Sequence, residues 1–174
     1  RPHIARKVSG PSGTYDFSDQ LSRNVDSLSM VDLWNLQILQ EMLSRPRVQA
    51  ALRAMADRDL ADTKTAWGGL IFYQNSRAEA TLYPADPAAA GDDLAYHPSS
   101  VFIQDSRASL CQFFAHFEKI ENSGRAGPTA QEIRWAAEEN AYGLVLTRVT
   151  KDSFCAHYFT PKGLVISMGV FALR

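Results

Sequence analysis

The hydrophobic residues of the first third of the chain recur at helical spacing. Ser29-Met-Val-Asp32 forms a capping box, which predicts that a helix begins here. The apolar residues that follow, as far as Leu43, cover more of the helix than one buried stripe needs, so we expect this helix to be covered on two sides. Pro46 begins a second predicted helix, which is expected to end in the charged segment 57–62.

Short strand-like segments predominate in the rest of the chain. A second capping box, Thr129-x-x-Glu132, begins a predicted helix over residues 129–140. Residues 84–100 are rich in proline and small residues, which is typical of a loop or lid, and a short strand is predicted at 101–103. Alternating or continuous apolar runs predict the main strands at 67–73, 78–83, 110–118, 143–150, 153–159 and 164–173.

This order of elements predicts an α+β fold with a mixed, largely antiparallel sheet flanked by helices. The 174 residues are enough for one domain with a real core. We expect residues 1–26 to form a flexible or wrapping arm and residues 27–174 to form the single domain. Within that domain, residues 27–62 are expected to be an N-terminal helical extension and residues 63–174 the core.

Composition narrows the range of functions. Hydrophobic residues make up 45% of the chain, charged residues 21%, and the net charge is −1, so the basic footprint of a nucleic-acid-binding protein is absent. The apolar runs are too short for a membrane span, and the chain is expected to be soluble, with the cytoplasm favoured. Cys111 and Cys155 lie in predicted strands, where buried free thiols are common, and a disulfide between them stays open.

One segment carries the candidate chemistry. A strand ends in Phe114-Ala115-His116, a helix begins at Pro128-Thr129-Ala130-Gln131-Glu132, and the strand Gly-Leu-Val-Leu-Thr follows. With the Gly68-Gly69 strand before it, this order resembles the JAB/MPN (JAMM) metalloprotease family over about residues 60–174. The resemblance implies the fold of that family. In its active members His-x-His and the Asp of Ser-x-x-Asp bind zinc, and a Glu near the first strand activates the water.

The sequence departs from the pattern of the active family at these positions. Phe114 replaces one of the two histidines, and no carboxylate stands near Thr65 or Ala66, where the Glu is expected. The spacing from His116 to the helix is also longer than usual. Since a catalytic zinc needs three protein ligands and a base for its water, His116 and Glu132 alone would hold it poorly.

We therefore expect no catalytic residues, no metal and no cofactor. The predicted function is that of a non-catalytic JAB/MPN-like module, a pseudo-enzyme that serves as a protein-interaction or structural component. Its helix over residues 30–43 and its Pro-rich loop would offer surfaces to a protein partner. Neither nucleic acid nor a membrane is expected as a partner, and the oligomeric state is left open.

Other interpretations of the same residues stay open. The chain would be a zinc-dependent peptidase or isopeptidase-type hydrolase if His116 and Glu132 gained a third ligand, for which Cys155 and His157 are candidates if their strands are neighbours. Alternatively, Glu132 only completes a capping box, and His116 is an ordinary strand histidine with a hydrogen bond. No Gly-x-Ser-x-Gly elbow follows a strand and no phosphate-binding glycine loop occurs, which argues against a serine hydrolase and a nucleotide-binding protein.

Overall fold

A computed structural model describes residues 7–10, 13–16, 25–62, 64–89 and 95–174 of the chain. The helices are α1 (Met30–Leu43), α2 (Pro46–Ala61), α3 (Ser100–Ser106) and α4 (Ala130–Glu138). The strands are β1 (Lys7–Gly10), β2 (Gly13–Asp16), β3 (Trp67–Gln74), β4 (Arg77–Tyr83), β5 (Cys111–His116), β6 (Gly143–Thr150), β7 (Ser153–Phe159) and β8 (Val165–Ala172). None of the helices in the described part of the chain is long and apolar enough to cross a membrane.

Six strands form the central sheet in the order β4-β3-β5-β6-β7-β8. All neighbours are antiparallel except β5 and β6, which run parallel and are joined by the connection that contains α4. A parallel pair needs such a crossover, because a short turn cannot return the chain to the same end of the sheet. The mixed, largely antiparallel sheet with flanking helices confirms the α+β fold class.

Each face of the sheet is covered by its own pair of helices. The first face packs against α1 and α2, whose residues join those of β5 to β8 in the larger apolar cluster. The second face packs against α3 and α4 through Phe102 and Ala136, which join Leu70, Phe114 and other residues of the sheet in a second cluster. Helices α1 and α2 thus supply side chains to the main core of residues 25–174.

Both predicted capping boxes are confirmed. Ser29 caps α1: its Oγ accepts a hydrogen bond from the backbone N of Asp32 at 3.2 Å, and the Asp32 carboxylate accepts one from the backbone N of Ser29 at 2.8 Å. Thr129 and Glu132 form the same arrangement at the start of α4. Each box satisfies backbone N–H groups that have no partner inside the helix.

One detail of the sequence prediction is wrong. The segment 101–103 is part of helix α3, since the hydroxyl of Ser99 accepts a hydrogen bond from the backbone N of Phe102 and begins a helix there. Helix α2 ends at Ala61, inside the charged segment 57–62 where its end was expected. In that segment Arg53 pairs with Asp57 one turn along the helix, whereas Asp59 is buried. Within the predicted arm, β1 and β2 form a two-stranded antiparallel sheet, and the rest of residues 1–24 lies outside the described residues.

Candidate functional site

His116 and Glu132, the two candidate ligands, lie side by side. His116 ends β5 and Glu132 lies in the first turn of α4, and Nε2 of the histidine is 3.2 Å from Oε1 of the carboxylate. Nδ1 of His116 lies 3.0 Å from the backbone carbonyl oxygen of Arg125, in the short helical turn 123–125. The amide of Asn122 donates a hydrogen bond to the carbonyl oxygen of His116 at 3.2 Å. His116 therefore connects β5 with α4 and with the segment that precedes it.

Glu132 uses its two carboxylate oxygens for different partners. Oε2 accepts a hydrogen bond from the backbone N of Thr129 at 2.6 Å, while Oε1 faces His116. Thr129 Oγ1 in turn accepts a hydrogen bond from the backbone N of Glu132 at 3.2 Å. The capping role and the contact with His116 are consequently compatible, and the same side chain fulfils both.

The partners of His116 indicate its protonation state. The carbonyl of Arg125 can only accept a hydrogen bond, and so can an ionised Glu132, so the ring satisfies both contacts when both of its nitrogens carry a proton. Burial is the largest influence on the pKa of His116 and favours the neutral ring. The adjacent Glu132 carboxylate and its hydrogen bond together outweigh burial and raise the pKa above the ordinary value of 6.5.

Glu132 is the matching partner in this ion pair. Burial is again the largest single influence and would raise the pKa of the carboxyl group. The charge of His116, with the hydrogen bonds from His116 and Thr129, outweighs burial and lowers the pKa of Glu132 below its ordinary value of 4.5. Both shifts favour the charged forms of the pair, an imidazolium and a carboxylate.

Cys155 and His157, the other candidate ligands, lie together on β7 but apart from this pair. A joint site with His116 requires β5 and β7 to be neighbours. Strand β6 lies between them, so this condition is not met. Sγ of Cys155 lies 3.9 Å from Nδ1 of His157. Burial raises the pKa of the Cys155 thiol to about 12 and, with the charge of His116, lowers the pKa of His157 to about 3. Both side chains are therefore neutral near pH 7.

Both cysteines are free and buried. Cys111 belongs to the apolar cluster under α1 and α2, whereas Cys155 belongs to a small cluster with Ala126 on the other side of the sheet. Because the sheet separates them, the two thiols do not form a disulfide in this fold.

The donor set at His116 does not fit the zinc ion that the family resemblance implies. Zinc is bound through the lone pair of a ring nitrogen, and both ring nitrogens of His116 face hydrogen-bond acceptors of the protein. Among the described residues, no group of three His, Cys, Asp or Glu side chains converges as a metal site. Phe114, in place of the second histidine, packs its ring against Tyr96, Trp135 and Phe159.

The pair is also closed to a substrate. His116 is 4% exposed, and the side chain of Glu132 is 12% exposed. A cavity of about 430 Å³ does open beside Thr65 and Ala66, between the start of β3 and residues 82–87, but neither His116 nor Glu132 lines it. No carboxylate takes the position of the expected base, since Ala66 is buried in the apolar cluster under α3 and α4.

A second feature lies at the start of α1, where the usual distribution of polar and apolar residues is reversed over residues 30–35. Farther along, the helix buries apolar residues such as Leu39 and Met42 in the main core. The polar residues Asp32 and Asn35 face the sheet and are buried. The hydroxyl of Tyr158 on β7 donates a hydrogen bond to Oδ1 of Asp32 at 2.9 Å and accepts one from Nδ2 of Asn35 at 3.2 Å. On the outward side, Met30 is 80% and Trp34 62% exposed.

The exposed apolar residues at the start of α1, Met30, Val31, Leu33 and Trp34, form its outer stripe. All four are exposed in the part of the chain that the structure describes, so the prediction that the helix is covered on two sides is wrong for these residues. Apart from Asp32, which is turned inward, the helix has one charged residue, Glu41 near its other end. An exposed apolar patch of this kind is typical of an interaction surface.

Sequence reasoning missed the partners that define both features. The carbonyl oxygen of Arg125 is backbone, and its approach to His116 depends on the path of segment 117–126, which carries no motif. The contact of Tyr158 with Asp32 joins residues 126 positions apart. The only signal in the sequence is the presence of two polar residues, Asp32 and Asn35, in the otherwise apolar stretch 30–36.

Comparison of the chain with models of protein families, with curated proteins and with solved structures gives no match. The resemblance to the JAB/MPN family accordingly rests on the residues quoted above and on the order of the elements.

Proposed function

We propose that this chain is a non-catalytic JAB/MPN-like module that acts by binding another protein through the outer stripe of α1. The observation that carries the proposal is the reversed polarity of the first part of this helix, residues 30–35. Asp32 and Asn35 are held inward by Tyr158, and Met30 and Trp34 are left in contact with solvent. A helix that only covered a core would be expected to have the opposite arrangement.

The cost of this arrangement supports a role for the stripe. Burying a carboxylate and an amide is unfavourable unless both are hydrogen-bonded, and exposing large apolar side chains forgoes about 25 cal/mol for each Å² of apolar surface. Tyr158 offsets the first cost by satisfying both polar groups. Among the described residues nothing offsets the cost of exposing the apolar side chains. A protein partner with an apolar surface would offset it by burying them.

The candidate metal site supports the non-catalytic part of the proposal. His116 and Glu132 are bonded to each other and to the backbone, are buried, and stand apart from the cavity. A hydrolase would need a ligand set with an open position and a base beside the bound water. Neither Phe114 nor Ala66 provides the missing groups.

Metal analysis of the purified chain tests the non-catalytic part. We expect well under one equivalent of zinc and the same melting temperature with and without a chelator, because ligation that does not exist cannot stabilise the fold. Stoichiometric zinc that is lost in His116→Ala or Glu132→Ala would instead establish the metal-dependent hydrolase.

A photo-crosslinking amino acid at position 34 tests the interaction. The matched control is position 101, because Val101 is a comparably exposed apolar residue at 56% on a different helix. We expect a discrete adduct from position 34 and not from position 101 in an extract of the source cells. The adduct protein, once purified, should bind the chain and the Val101→Lys variant but not Trp34→Lys. Equal binding to all three would refute the role of the stripe.

A further inference from the structure

We propose that protonated His116 is the structural cation of the candidate site, and that it holds β5, α4 and the turn 123–125 together as a proton-dependent joint. The joint consists of the His116 ring, the Glu132 carboxylate and the Arg125 carbonyl. This inference rests on the proposed non-catalytic function. A metal bound to His116 would take the place of a ring proton, so the joint requires that His116 and Glu132 bind no metal.

The geometry of the ring carries the inference. Two acceptors from two different elements lie at hydrogen-bond distance from the two nitrogens of one buried imidazole, at 3.0 and 3.2 Å. Glu132 accepts a second hydrogen bond from the backbone N of Thr129, which favours its ionised form. Beside an ionised Glu132, a neutral ring with one N–H would leave one of these contacts without a proton and the carboxylate without a countercharge. A ring with two N–H groups satisfies both acceptors and the charge.

The charged and titratable groups around the ring come from each element packed against it. Glu132 faces it from α4, and the Arg125 guanidinium opposes its charge from turn 123–125. That guanidinium forms an ion pair with Glu118, which follows β5. The negative charge of Glu118 partly offsets the repulsion between the Arg125 guanidinium and a charged His116 ring. From β7, His157 and Cys155 are both neutral near pH 7. Glu132 is therefore the group that keeps the ring charged.

The direction of the pH dependence follows from these contacts. The pKa of His116 is raised above 6.5, so its contribution to stability is complete below about pH 6.5 and is lost as the pH rises through the folded value. The pKa of Glu132 is lowered below 4.5, so its contribution is present above about pH 4.5 and is lost as the pH falls through the folded value. The joint is therefore strongest between about pH 4.5 and 6.5. It weakens when His116 loses its proton as the pH rises through the folded pKa of the ring.

Nitrogen-15 NMR of the histidine rings in the intact chain tests the proposal without any substitution. We expect both ring nitrogens of His116 to carry protons at pH 6, and the ring to titrate above 6.5. Protection of backbone amides in 122–132 against hydrogen exchange, corrected for the intrinsic rates, should fall over the same pH range. A His116 ring with a single N–H at pH 6 would overturn the proposal.

Two matched variants identify the partner that holds the proton. Glu132→Gln keeps a residue that can complete the capping box but removes the charge, so the proton affinity of His116 should fall at least tenfold and its titration should move below pH 6.5. Glu138→Gln, an exposed position on the same helix, should leave the titration unchanged. An unchanged His116 titration in Glu132→Gln would refute the joint.

The two proposals fail in different ways. Stoichiometric zinc on His116, seen as a metal-dependent shift of one ring nitrogen, would refute the non-catalytic function together with the joint. A metal-free protein with a neutral His116 ring would refute only the joint.

Discussion

Replacing Tyr158 with phenylalanine should measure how much the hydrogen bonds to Asp32 and Asn35 stabilise the packing of α1 on the sheet. The substitution keeps the buried ring, which stacks on Tyr142 with the ring centroids 5.9 Å apart and the planes at 13°. It removes only the hydroxyl, which donates to Asp32 at 2.9 Å and accepts from Asn35 at 3.2 Å. The change is thus confined to the polar contact between α1 and β7.

The expected loss is about 2–4 kcal/mol of unfolding free energy. A hydrogen bond to a charged group contributes about 1.5–3 kcal/mol, and a buried amide left without its partner costs about 1–3 kcal/mol, with some relief from relaxation. For a chain of this size each kcal/mol corresponds to about 2–4 °C, so the melting temperature should fall by about 5–15 °C. Burial raises the pKa of Tyr158, and the hydroxyl is accordingly a proton donor throughout the neutral range.

Urea denaturation of a double-mutant cycle is the appropriate assay. Tyr158→Phe, Asp32→Ala and the double variant should give a coupling energy above about 1 kcal/mol, since the two groups are in direct contact. The loss of the Asp32 contact with the Ser29 backbone occurs with and without Tyr158 and cancels in the cycle. Tyr73→Phe, at a half-exposed position on β3, is the control and should lie within about 0.5 kcal/mol of the parent. A Tyr158→Phe variant as stable as the parent would show that apolar packing alone orients α1. It would also refute the inference that the contact with Tyr158 holds the polar residues of α1 inward.

Three further predictions concern the caps and the buried titratable groups. Thr129→Ala should lower the unfolding free energy by about 0.5–2 kcal/mol, whereas Thr129→Ser should retain it; an unchanged urea midpoint in Thr129→Ala would show that the cap does not stabilise α4. His157 has a pKa lowered to about 3 and an ordinary value of 6.5, so the folded state loses stability as the pH falls from 6.5 towards 3, and His157→Gln should flatten this acid limb in thermal melts. Burial raises the pKa of both thiols, so a thiol reagent should react slowly with the native chain and titrate two groups after denaturation; no reactive thiol in the denatured chain would indicate a disulfide.

The elements with local signals could be predicted from the sequence. The capping boxes at Ser29 and Thr129 specify helix starts through groups three residues apart, and both are present in the structure. The main strands were predictable for the same reason, since their apolar residues form local runs. The three apolar residues at 101–103, Val-Phe-Ile, favour a strand, whereas the Ser99 cap begins the short helix α3 there.

The candidate site was only half predictable. The motif correctly placed His116 next to Glu132, since the end of β5 and the start of α4 are fixed by local patterns. The protonation state of the ring depends mainly on Glu132 and also on the carbonyl of Arg125, which no side-chain motif encodes. The position of Cys155 and His157 depended on strand order, and the insertion of β6 between β5 and β7 separated them from His116.

The orientation of α1 illustrates why hydrophobic periodicity alone misled. Its apolar residues extend around the whole helix, so a sequence pattern cannot distinguish an inner face from an outer one. Asp32 and Asn35 distinguish the two sides of residues 30–35, because the face that meets the Tyr158 hydroxyl buries them with hydrogen bonds. The buried polar contact, together with the apolar residues buried farther along the helix, thus leaves Met30, Val31, Leu33 and Trp34 on the exposed side.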